Sequence, residues 1–159
     1  MKGPRRLGHE SLESRCVMAA FGVPWHDPGH LSISFAPDGT TIAGHESSLF
    51  AALDAQQPTE EWQRTILTAF QSWAEHSNLN FGWRDDGGQA FGSAGFAQGD
   101  PRFGDIRIGA QAMRPEALAI AVPPDATLSS TFSGDVLLNS DYVFGSDAYS
   151  LLAVMLHEA

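Results

Sequence analysis

One cysteine, Cys16, stands in the whole chain, so no disulfide can form within it. The fold must therefore rest on its hydrophobic core or on bound ions. Basic residues are scarce: nine Lys and Arg face nineteen Asp and Glu, giving a net charge of −10. Nucleic-acid binding needs a basic footprint, and this balance argues against that partner class. Long apolar runs are missing as well. None approaches the ~18 residues of a membrane-spanning helix, and the apolar stretch Val17 to Val23 is closed by Pro24. There is no internal repeat and no linker long enough to split the chain. What is present suits one domain: 159 residues, 43% hydrophobic, with ten Phe and four Trp for a core.

Two common chemistries lack their motifs. The stretch Asp85 to Gly104 is rich in Gly but holds neither Gly-Lys-Ser/Thr nor Gly-x-Gly-x-x-Gly, so it is not a phosphate cradle. Phe91-Gly-Ser-Ala-Gly95 misses the nucleophile elbow, because Phe91 stands where Gly is required.

The first residues, Met1 to Leu7, are basic like a targeting segment, but Glu10, Glu13 and Arg15 break the apolar stretch such a segment needs. Leu12-Glu-Ser-Arg15 resembles the Leu-Glu-x-Arg segment of large bacterial surface and exported proteins, with Val17-Met18 in place of two leucines. That resemblance implies an extracellular or cell-surface location. A short amphipathic helix or a disordered tail is the other reading. The division expected is a segment 1–24 followed by a folded unit 25–159.

Further along, His26-Asp-Pro-Gly-His30 places two imidazoles and a carboxylate together, yet Asp-Pro-Gly is turn chemistry first and a metal site second. Alternation predicts strands at Leu31–Phe35 and Leu79–Trp83, and three further short strands are read at Asp105–Gly109, Ala117–Val122 and Ser133–Asn139. Pro123-Pro124 closes the fourth, which suits an edge strand, since proline cannot donate to a ladder. Ser47 to Leu53 reads as a short serine-capped helix. Pro58 opens a longer one, whose stripe of Trp62, Ile66, Ala69, Phe70 and Trp73 runs to near Ser77-Asn78.

The final stretch, Asp147 to Ala159, reads as a helix with Ser146 or Asp147 as N-cap and no C-cap signal. It carries His157-Glu158. His-Glu occurs three times; His9 and His45 are followed four residues later by Glu13 and Leu49, which fails His-Glu-x-x-His, and the third cannot be tested within the chain. In that motif two histidines one helical turn apart share a face and one zinc ion, with the Glu beside a zinc-bound water. The plain alternative is a polar end to a core helix.

The order strand, long helix, four strands, helix with His-Glu resembles the upper subdomain of a matrixin, a metzincin-type zinc endopeptidase. The likeness runs from Leu31 to Ala159, through Asp105-Ile-Arg-Ile108, Leu118-Ala-Ile-Ala121, Gly134-Asp-Val-Leu137 and Leu156-His-Glu-Ala159. It implies an α+β fold, a twisted five-stranded mixed sheet with the long helix and the active-site helix packed on it. It further implies His157 as a zinc ligand and Glu158 as the general base, with the remaining ligands beyond Ala159, so that the chain is an inactive fragment by itself. The edge strand, Leu118, Ala119, Ile120, Ala121 and Val122, would hold an extended polypeptide substrate. Ile120 and Leu137 stand where the animal proteins have histidines for a second zinc, which is therefore not expected. Asp105 and Asp135 fall where the family binds calcium; turn capping explains them equally. Asn139 and Tyr142 replace the acids of a further calcium site. The rival reading is a non-catalytic, calcium-dependent binding module of a large surface protein.

Overall fold

The computed structural model describes residues 23–145 and 149–159. Cys16, the Leu12 to Ala19 segment and the proposed caps Ser146 and Asp147 lie outside the described residues. A five-stranded sheet is the frame. Its strands are β1 (Leu31–Phe35), β4 (Phe81–Trp83), β5 (Ile106–Gln111), β6 (Ala119–Ala121) and β7 (Val136–Asn139), in the spatial order β4-β1-β5-β7-β6. All neighbours pair in parallel except β6, which runs antiparallel to β7 with Ile120 opposite Leu137. The sheet is mixed and mostly parallel, with four strands parallel and β6 antiparallel at one edge.

Between β1 and α1 (Leu49–Asp54) sits a hairpin of β2 (Thr41–Ile42) and β3 (His45–Glu46) that the sequence reading missed. Its two-residue strands are too short to alternate. Its turn uses Ala43 and Gly44, both at positive φ. This places His45-Glu46 on a hairpin, not on a helix. Ser48 occupies the cap position of α1 but its hydroxyl does not cap; Asp38 does so, accepting from the amides of Phe50 and Ala51 at 2.9 Å each. A capping residue distant in sequence left no local signal.

The long helix, α2 (Thr59–Ala74), stops earlier than the Ser77-Asn78 expected. Trp62, Ile66, Ala69 and Phe70 are buried as the stripe requires, whereas Trp73 is 48% exposed. One core forms where α1, α2 and the last helix, α4 (Leu151–Glu158), meet the sheet, centred on Ile33, Trp62, Ile66, Phe70, Leu138 and Met155. A one-turn α3 (Ala126–Ser129) lies between β6 and β7. Helix α4 is capped at its start by Ser150, whose hydroxyl accepts from the Ala153 amide at 3.2 Å. Among the described residues no helix is long and apolar enough to cross a membrane.

The loop between β4 and β5 is irregular but tightly held. Arg107 on β5 and Asp86 in the loop form a fully buried bidentate pair, with both contacts at 2.8 Å. The guanidinium is sandwiched between Phe91 and Phe103, 4.2 and 4.4 Å from the ring centres. Arg102 and Asp100 make a second pair at 2.8 Å, which holds the Asp100 carboxyl well below the usual range.

Candidate functional site

Helix α4 is seated by its apolar face. Leu151, Val154 and Met155 are buried, and the helix packs on α2 and against β6. The indole N–H of Trp73 donates to the carbonyl oxygen of Leu156 at 3.1 Å. That carbonyl belongs to the last turn, which a helix end leaves without an intrahelical donor. The half-exposed tryptophan therefore fixes the turn that carries the pair.

With Leu151, Val154 and Met155 inward, His157 is exposed and Glu158 is half-buried. Both line two grooves. One, of about 500 Å³, is bordered by Ala117, Leu118 and Ala119 on the strand side and by Tyr149, Ala153 and Val154 on the helix side, with Glu116 at its margin. The other, of about 570 Å³, runs past Ala121, Val122 and Pro123 toward Trp25 and Leu79. The pair thus stands beside the middle of the exposed edge, not in packed hydrocarbon.

Among the described residues no strand pairs with the outer side of β6. Val122 donates to the Asp135 carbonyl and accepts from Gly134, while Leu118 accepts from the Asn139 amide. Residues of an antiparallel edge alternate between facing the partner and facing away. Leu118, Ile120 and Val122 face β7, so the backbone groups of Ala119 and Ala121 face outward. The side chain of Ile120 is 49% exposed.

The turn before the edge is pinned by Asn139, which is 2% exposed. Its Oδ1 accepts from the amides of Met113 and Asp141 at 3.1 Å, and its Nδ2 donates to the carbonyls of Arg114 and Ala117 at 3.3 and 2.8 Å. A carboxylate here could not donate to those carbonyls. The amide holds the turn with hydrogen bonds alone.

Asp105 and Asp135 occupy different settings. Asp105 Oδ2 accepts from the amide and hydroxyl of Ser32 at 2.8 Å, and its Oδ1 accepts from Gly99. This is the turn-organising role. Asp135 is fully buried; Oδ1 accepts from the Arg107 amide at 2.7 Å and Oδ2 has no hydrogen-bond partner among the described residues. Burial pushes its pKa well up, against the smaller opposing pull of Arg107. His30 and Asp27 make an exposed contact of 2.9 Å in a 3-10 turn leading into β1, which fits the turn reading of that motif.

Among the described residues no three His, Cys, Asp or Glu side chains gather to hold a metal. No family model matches this chain, and no curated protein matches it significantly. The geometry must therefore carry the reading. Sequence reasoning missed Glu116, Tyr149 and Ala153 as groove residues, because three separate segments meet there. It also missed Trp73 as the donor to α4; the indole's place at the end of the apolar stripe was its one signal.

Proposed function

We propose that the chain is the substrate-edge part of a zinc metalloendopeptidase of matrixin type, with His157 as the first zinc ligand and Glu158 as the general base. One observation carries the proposal: a His-Glu pair on the last turn of a helix, its His exposed and its Glu half-buried, stands beside the antiparallel edge strand of a mixed sheet. An extended polypeptide added to Ala119 and Ala121 would run directly past the pair. The five-stranded mixed sheet, the long helix and the seating of α4 upon them agree with the architecture the resemblance implies.

A zinc site with three protein ligands needs more than His157, so the fit to the metal is partial and the remaining ligands are assigned to sequence following Ala159. Held by His157 and the further ligands, zinc would supply Lewis-acid polarisation of a carbonyl and an acidified water. The chain's own residues have three tasks. Ala119 and Ala121 bind and orient the substrate backbone. Trp73 holds the turn carrying His157. Glu158, next to that ligand, takes a proton from water and passes it to the departing amine. An extracellular or cell-surface location accompanies this proposal.

The test begins with the coding sequence beyond Ala159. A histidine at the fourth position after His157, followed at family spacing by Gly and His, supports the peptidase; any other residue at that fourth position refutes it. In the extended protein, Glu158→Gln should lower peptidase activity by a factor of about 10² to 10⁴ while zinc stays bound. The 159-residue chain alone should bind no stoichiometric tight zinc.

A further inference from the structure

The groove on the Tyr149 side of His157 has an uneven chemistry. Its walls are short and apolar: Ala117, Ala119 and Ala153 leave room, while Leu118 and Val154 offer hydrocarbon. Its acidic groups are Glu116 and Glu158, and among the described residues no Lys or Arg lines it. Tyr149, 56% exposed, presents an aromatic ring there.

Glu116 is exposed, yet the backbone beneath it is fixed. The Asn139 amide grips the carbonyls of Arg114 and Ala117 on either side of it. The turn is closed further by the Ala117 amide donating to Arg114 at 2.9 Å. Arg114, the nearest cation in sequence, has its side chain exposed and is not part of the groove. Among the described residues Glu116 makes no ion pair, so its carboxylate faces the groove margin unneutralised.

We propose that this groove selects a polypeptide residue with an aliphatic stem and a cationic end, lysine or arginine, and that Glu116 is the specificity-determining residue. The inference rests on the peptide-edge reading above. Long basic side chains bury their methylenes on apolar surface while the charged head stays at the rim. The small alanines accept the stem, Glu116 meets the charge, and the Tyr149 ring offers a second, cation–π partner. A carboxylate-bearing residue would meet Glu116 and Glu158 with like charge.

The test is an NMR titration of the 159-residue chain with short extended peptides, following the amides of Ala119 and Ala121. The peptides differ only at a central residue: lysine, arginine, norleucine as the neutral stem, or glutamate. Lysine and arginine peptides should bind about two- to fivefold tighter than the norleucine peptide, the scale of a solvent-touched ion pair. The preference should vanish in Glu116→Gln and turn toward glutamate in Glu116→Lys. Glu60→Gln on α2 changes the net charge equally but lies on another groove, and should keep the preference. Equal binding of lysine and norleucine peptides, or a preference that survives Glu116→Gln, overturns this inference alone. Failure of every peptide to shift Ala119 and Ala121 overturns the peptide-edge reading and this inference with it.

Discussion

Asp135→Asn isolates a fully buried acid whose pKa burial raises. The carboxyl is fully buried, takes one hydrogen bond from the Arg107 amide and, among the described residues, leaves Oδ2 without a donor. Burial raises its pKa well above the usual value, and Asp86 adds a smaller push in the same direction. The sign follows. Above the unfolded value of about 3.9 the unfolded chain has released this proton while the folded chain still holds it. Stability from this group is therefore greatest below that value and falls as pH rises, until the folded pKa is passed. The slope is about 1.4 kcal/mol per pH unit while the two states differ by one proton. An asparagine keeps the acceptor for the Arg107 amide and carries no titrating proton. Urea denaturation in EDTA from pH 5 to 8 should show the variant gaining on the wild type as pH rises. A difference that stays constant across that range, or that moves toward the wild type, would refute the reasoning. A calcium arm separates the other explanation of the free oxygen. Should Oδ2 face a cation, the wild type alone gains, by about 2.7 kcal/mol at a hundred times the Kd.

Two further substitutions test the scaffold. Arg107→Met leaves the Asp86 carboxylate buried without its partner; the expected loss is about 3–5 kcal/mol by urea denaturation, and Asp86→Asn in the same chain should recover part of it. Trp73→Phe keeps a smaller aromatic ring but removes the indole donor to Leu156. It should cost about 0.5–1.5 kcal/mol and speed hydrogen exchange in the last turn of α4, leaving exchange in β5 unchanged.

What the sequence makes legible is local. Leu31 to Phe35 alternates, and the structure buries Leu31, Ile33 and Phe35. The α2 stripe is readable for the same reason, a fixed period imposed by one buried face. Pro123-Pro124 marks Ala119–Ala121 as an edge because a proline there cannot serve a central ladder. Strand order is different. The pairing of β1 with β5 joins Ile33 to Ile106, and no periodicity within either segment specifies that choice. Charged partners hide in the same way. Arg107 sits in an alternating strand where a solvent-facing arginine is the simple expectation, and only the distant Asp86 and the flanking Phe91 and Phe103 explain its burial.

The candidate site shows both limits at once. His157-Glu158 is a two-residue motif, and three copies of that dipeptide occur in the chain. His45-Glu46 is itself the two-residue strand of a two-stranded hairpin, so it lies on no helical face and faces no helix-flanked edge of the main sheet. His157-Glu158 gains its meaning from position: α4 is fixed by Trp73 and by buried Val154 and Met155, and this sets the pair against the free side of β6. The dipeptide is local, but the edge it faces is assembled from residues some forty positions earlier. Periodicity reads each component, and only their packing distinguishes a helix end beside an open strand from a polar surface turn.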